Sequence, residues 1–191
     1  MDIDRLRREF PARRIHYYPA VDSTMRAAVG LEPGSVVLAG GQTAGQGRHG
    51  RSWHSEAGSG IYCSIVLKPT PVLTLALGLA TADAIARSTG MMCDLRWPND
   101  LMLAGKKVAG ILVQLADGNA IAGIGINVNH SLFPPELASQ ATSLRLHTGA
   151  PVSLTDILLT FCRRWIASWE WTKTPSFGCS RALRVTPPAG A

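Results

Sequence analysis

Apolar and polar positions alternate most regularly over residues 60–68, where Ile61, Cys63, Ile65 and Leu67 oppose Tyr62, Ser64 and Val66. That period of two predicts a strand with one wholly apolar face. Residues 14–18 and 35–39 read as shorter strands. Four more are predicted over 92–97, 101–103, 107–115 and 120–128, joined by turns at Pro98-Asn99-Asp100, Ala104-Gly105 and Asp117-Gly118-Asn119. Helical spacing appears over residues 3–10. It appears again after Asp22-Ser23, which would cap a helix running to Val29 with Gly30 as its stop. Thr70-Pro71 opens the main helix, with Pro71 at its first position and apolar residues on nearly every face as far as Ala86; Gly90 ends it. A short helix is expected over 135–141. Ser153, with Asp156 three residues on, starts an amphipathic helix carrying Leu154, Ile157, Leu158, Phe161, Trp165 and Ile166. Together these elements make an α+β domain over residues 1–171, a mixed β-sheet with packed helices. From 172 to 191, Pro175, Pro187 and Pro188 interrupt any period, and the segment reads as an irregular tail.

The chain has 191 residues, enough for one domain with a substantial core, and 46% hydrophobic against 17% charged residues marks it as globular. The longest apolar run, 72–82, is broken by Thr74, Gly78 and Thr81 and is too short for a bilayer. The start, Met1-Asp2-Ile3-Asp4-Arg5, has no apolar run behind its charges and does not read as a signal peptide, so a cytoplasmic protein is expected, with no membrane partner. Cys63, Cys93, Cys162 and Cys179 lack metal or paired spacing. The net charge of +6 is dispersed, and no helix-turn-helix fits ahead of residue 15, so nucleic acid is not an expected partner.

Candidate chemistry concentrates in Gly45-Gln46-Gly47-Arg48-His49-Gly50-Arg51-Ser52-Trp53. Its glycines let the backbone approach a ligand, and Arg48 and Arg51 supply forked cations for phosphate or carboxylate. The loop is neither a P-loop, since no Lys-Ser or Lys-Thr pair follows, nor a dinucleotide fingerprint. Glycine density also predicts that it is mobile when empty and orders over a ligand. About fifty residues on come Arg96-Trp97-Pro98-Asn99-Asp100 and Lys107-Val108-Ala109-Gly110-Ile111-Leu112. Asp22-Ser23-Thr24 precedes the loop, and Gly123-Ile124-Gly125-Ile126-Asn127-Val128-Asn129 follows the lysine block.

These four blocks, in this order over residues 15–170, resemble the biotin–protein ligase family. The resemblance implies a catalytic domain of the biotin/lipoate ligase type, similar to class II aminoacyl-tRNA synthetases. It implies a short form, without the DNA-binding domain that many members carry in front and without the small β-rich C-terminal domain, so transfer is expected to be weaker than adenylation. Biotin and ATP would react to biotinyl-5'-AMP and pyrophosphate, Mg²⁺ accompanying the nucleotide. The acyl group would then pass to a lysine of a biotin carboxyl carrier protein; a homodimer is compatible with the pattern. Arg48 and Lys107 are the implied catalytic cations, the lysine at the acyl and phosphate oxygens. Ser23, Thr24, Gln42, Gly45, Gln46, Gly47, Gly110 and Ile111 complete the implied biotin site, the two hydroxyls and the Gln42 amide serving the ureido ring. Arg51, Trp53, Asn99, Asp100 and Asn127 are the implied ATP residues. Several keep a second reading: Ser23 as a helix cap, Trp53 as a core anchor, Asn99 and Asp100 as turn formers. Gln46 stands where some relatives have arginine, and His49 and His54 read as incidental loop residues. A lipoate–protein ligase and a non-catalytic biotin sensor are the alternative functions.

Overall fold

The computed structural model describes residues 1–165 and the backbone of Val185–Thr186. Its sheet has eight strands: β1 (Ile15–Tyr18), β2 (Val36–Ala39), β3 (Gly60–Leu67), β4 (Asp94–Arg96), β5 (Asp100–Leu103), β6 (Lys106–Ala116), β7 (Asn119–Asn127) and β8 (Val185–Thr186). They lie in the order β1-β2-β3-β7-β6-β5-β4-β8. β1 runs parallel to β2 and β8 parallel to β4, while the other pairings are antiparallel. The sheet is therefore mixed, as the pattern predicts. β8 is a correction, since two residues expected in an irregular tail extend the sheet edge. The remainder of that tail, and the expected helical positions from Ile166 to Trp171, lie outside the described residues.

One face of the sheet carries α3 (Leu73–Thr89) and α6 (Leu154–Trp165), with α1 (Ile3–Glu9) against α6. Ile61, Cys63, Ile65 and Leu67 of β3 join Leu77, Ile85, Ile157 and Phe161 in the main core there. β3 is buried along its whole length, so its other face is covered too. That cover is α2 (Thr24–Ala27), whose Met25 packs in a second cluster with Val37, Val66 and Ile121. A strand buried on both sides keeps its alternation only where polar groups are paired, and Tyr62 and Ser64 both are.

Element ends differ from expectation for local reasons. α2 stops at Ala27, two residues early, because its last amides turn back on Arg26 and Ala28. α3 begins at Leu73, leaving Pro71 in the preceding turn, and ends on Gly90 at φ 74°. The helix expected over 135–141 is confined to α4 (Pro135–Ala138). α5 (Leu144–Thr148) was not expected; the Ser143 hydroxyl accepts from the Leu146 amide at its start and Gly149 closes it at φ 72°. Those two flanking residues are the signal that its weak apolar content hid.

Asn129 fastens the end of β7 to the approach to α6. Its amide donates to the Val152 carbonyl and its oxygen accepts from the Val152 amide, both at 2.8 Å. Asn129→Ala leaves both backbone groups without partners and is expected to cost about 2 kcal/mol, read from urea denaturation midpoints at unchanged slope.

Candidate active site

A cleft lined by Thr24, Gln42, Arg48, Trp53, Lys107 and Gly110 opens on the α2 side of the sheet. Its floor is β6 and β7. Gly110 faces Gly125 directly across the two strands, and Gly123 stands opposite Leu112. A Cβ on Gly125 would fall 2.4 Å from Trp53 Cε2, one on Gly110 2.9 Å from Trp53 Cζ3, and one on Gly123 2.4 Å from Met25 Sδ. Side-chain-free backbone thus forms a flat surface, and the Trp53 indole rests on it. The indole Nε1 is buried and has no hydrogen-bond partner.

Lys107 reaches the same face, which simple alternation forbids, since Gly110 lies an odd number of positions further on. A bulge resolves this. Lys107 pairs with Met102 and Ala109 with Leu101, so Val108 is the extra residue and Lys107 is returned to the side of Gly110. A Cβ on Gly110 would touch Lys107 Cε at 3.1 Å. The ammonium lies 2.6 Å from Asp100 Oδ1 and 5.2 Å from the centre of a Trp53 ring. Its backbone is held as well, donating to the Gln140 carbonyl and accepting from the Thr142 amide at 2.8 and 2.9 Å. Asn127 braces that clasp by donating to the Thr142 carbonyl at 3.1 Å.

Opposite Lys107 stands Arg48, whose guanidinium donates to Asn99 Oδ1 at 3.2 Å. Asn99 is itself fixed to β6: its amide donates to the Ile111 carbonyl at 3.1 Å, and its carbonyl accepts from the Ile111 amide at 2.8 Å. The glycine loop is a small hairpin. Gly47 donates to Arg51, Trp53 donates to Gly45, and His49 and Gly50 turn the chain at φ 56° and 73°. Gly45 is a packing requirement there, since a Cβ would fall 2.6 Å from the Trp53 carbonyl oxygen.

The far end of the cleft is polar. Ser64 donates to Thr24 Oγ1 at 2.8 Å, Gln42 Oε1 accepts from the Thr24 amide at 2.8 Å, and Gln42 Nε2 donates to Ser55 Oγ at 2.8 Å. Beside this chain, Ser23 Oγ is fully buried with no partner, and it does not bond the helix amides it precedes. A buried hydroxyl left open costs free energy unless a ligand completes it. The cleft therefore sets two cations around one end and a pre-ordered set of hydrogen-bonding groups at the other, with a flat apolar floor between.

The sequence model of the biotin/lipoate A/B protein ligase family matches residues 18–131. The chain belongs to this family. It is 37% identical over 182 residues to the bifunctional ligase/repressor BirA of Bacillus spizizenii, an overlap covering 84% of this chain and 56% of that protein. It is 39% identical over 134 residues to the biotin–[acetyl-CoA-carboxylase] ligase of Mycobacterium tuberculosis, covering 64% and 50%. The chain thus spans about half the length of these two relatives. Among solved structures, biotin protein ligase from Aquifex aeolicus in complex with biotin and ATP superposes with a TM-score of 0.74 at 35% identity, covering 78% of this chain and 67% of that one. The α+β fold expected from the pattern is that of the family.

In this biotin/lipoate ligase domain, the cleft brings together Thr24, Gln42, Gln46, Gly47, Arg48, Trp53, Asn99, Lys107, Gly110 and Ile111 from the sequence reading. Five others stand off its walls. Ser23 lies behind Thr24, Gly45 is committed to loop packing, and Arg51 is exposed on the loop. Asp100 is paired with Lys107, and Asn127 with the Thr142 carbonyl beside that strand. Ile111 has its side chain in the core on the helix-covered face, while Leu112 packs with the α2 cluster. Sequence reading missed Met25, Leu112, Gly123 and Gly125 as wall and floor, and Ser64 as the hydroxyl bonded to Thr24. The signal was present in Gly123-Ile124-Gly125, two glycines at strand spacing that strip one face of side chains.

Proposed function

We propose that this domain is a biotin–protein ligase, activating biotin with ATP and passing it to a lysine of a biotin carboxyl carrier protein. The observation that carries the reading is the convergence of Arg48 and Lys107 in a glycine-floored cleft whose other end holds the Thr24 and Gln42 groups. In the first step a biotin carboxylate oxygen bonds to the α-phosphorus, the bond from that phosphorus to the bridging oxygen breaks, and pyrophosphate leaves. Two anions must approach, so fixed cations at the junction lower the barrier. Arg48, held by Asn99, suits the carboxylate–phosphate junction. Lys107, on its clasped strand, suits the developing charge on the phosphoryl oxygens. In the second step the carrier lysine amine attacks the acyl carbon, AMP leaves, and the amine gives up a proton.

The ureido ring fits the polar end, where Thr24 and Gln42 are already oriented and Ser23 Oγ, behind Thr24, lacks a partner. Trp53 and exposed Arg51 suit the nucleotide. Mg²⁺ would arrive with the phosphates: Asp100 is the carboxylate beside the cleft, and its ion pair with Lys107 leaves no protein cage of the kind a resident ion requires.

Biotin-dependent exchange of labelled pyrophosphate into ATP tests adenylation. Exchange with biotin, and discrimination against lipoate by ~100-fold or more, are expected from a site that hydrogen-bonds the ureido group. Exchange supported by lipoate would make this a lipoate ligase, and biotin binding without exchange would make it a sensor.

A further inference from the structure

The glycine loop's outgoing limb carries a second cluster, for which adenylation has no use. His54 and Glu56 follow Trp53 and meet His130, three residues beyond β7; one ligand-type atom from each lies within 4.8 Å of the other two. His130 is completely buried, stacked on Phe133 with ring centres 5.2 Å apart, and its centre is 5.6 Å from that of His54.

Hydrogen bonding fixes which His130 nitrogen is free. The Tyr62 hydroxyl has one proton, and it is donated to the Glu56 carbonyl at 2.9 Å. The 3.3 Å contact between Tyr62 Oη and His130 Nε2 is then made by an Nε2–H donating to the phenol oxygen. Nδ1 is left as a bare lone pair, and it is buried with no hydrogen-bond partner. Aromatic packing alone explains the stacking with Phe133 but leaves that lone pair unsatisfied, an expensive condition in a core. A hydrogen bond on one ring nitrogen with the other nitrogen open is how a metal-binding histidine is set.

We propose that His54, Glu56 and His130 form a site for a divalent transition metal ion of the zinc class, tying the outgoing limb of the glycine loop to the end of β7. Two imidazole nitrogens and one carboxylate oxygen are borderline donors that select zinc-like ions over Mg²⁺ or Ca²⁺, and three protein ligands leave a fourth position for water. With metal–ligand bonds of about 2.1 Å, tetrahedral donors sit roughly 3.4 Å apart. Exposed Glu56 and half-buried His54 supply the contraction while His130 stays in place. The site is independent of the biotin reading.

The test is calorimetric titration of the chelator-treated full chain with Zn²⁺, repeated with Co²⁺ for its visible absorption. One Zn²⁺ per chain and a Co²⁺ spectrum of four- or five-coordinate type are expected, with no binding of Mg²⁺ at the same concentration. His54→Ala and Glu56→Gln should each weaken Zn²⁺ at least ~10-fold, and Tyr62→Phe by about 10-fold through the outer hydrogen bond. His49→Ala, in the exposed turn of the same loop, should leave affinity unchanged. Absence of stoichiometric Zn²⁺ binding, or binding indifferent to both His54→Ala and Glu56→Gln, overturns the proposal. Because neither changed side chain is buried, loss of fold does not confuse the result.

Discussion

Replacement of Lys107 by alanine is expected to slow biotin-dependent pyrophosphate exchange at least ~100-fold, about 3 kcal/mol of lost transition-state stabilisation, with the fold intact. Two terms add. The ammonium no longer meets the charge that develops on the phosphoryl oxygens, and Asp100, now without its partner at 2.6 Å, presents a bare carboxylate to the incoming anions. The second term is separable: Asp100→Asn placed on the Lys107→Ala background should recover part of the rate, and the cycle of four proteins measures the coupling. Stability should hardly change, since both side chains are about a third exposed and such pairs contribute ~1 kcal/mol or less. Near-normal exchange by Lys107→Ala would remove the lysine from the mechanism.

Gly125→Val is expected to weaken biotin binding by ~100-fold in calorimetry, with Gly125→Ala intermediate. The added carbons enter the space now held by the Trp53 ring, 2.4 Å from Cε2 at the first atom, and they stand directly opposite Gly110, so the flat floor is lost across both strands. The folded chain can accommodate this by moving a loop tryptophan. A ligand that must lie on the floor has no equivalent retreat. Unchanged affinity in the valine variant would mean that biotin lies elsewhere.

Much of this was legible in the sequence, and the parts that were not share a cause. The period-two run of β3, the apolar bulk of α3 and the Gly90 stop are local, and local rules read them. The clustering of Arg48, Asn99 and Lys107 is not local; only motif order pointed to it. Asn99 then proved to be the post that holds Arg48, a role set by its bond to Ile111 that no turn propensity reveals. Asp100 and Asn127 were read as nucleotide contacts, whereas the structure shows them bonded to Lys107 and to the backbone beside it. Ser64 escaped notice because a hydroxyl inside an apolar strand looks like noise until Thr24 is seen 2.8 Å away. His54 looked incidental because its partner His130 is distant in sequence.

The extra residue in β6 bears on how relatives of this chain ought to be compared. Lys107 faces the floor because Val108 is uncounted by the partner strand, so the placing of its ammonium depends on a tally of residues as much as on their identities. A relative could keep the lysine, the alanine and the glycine yet lose one position between them, and its ammonium would point into the helix-covered core. For this stretch, an insertion or deletion would disturb the placing of the ammonium more than most substitutions would.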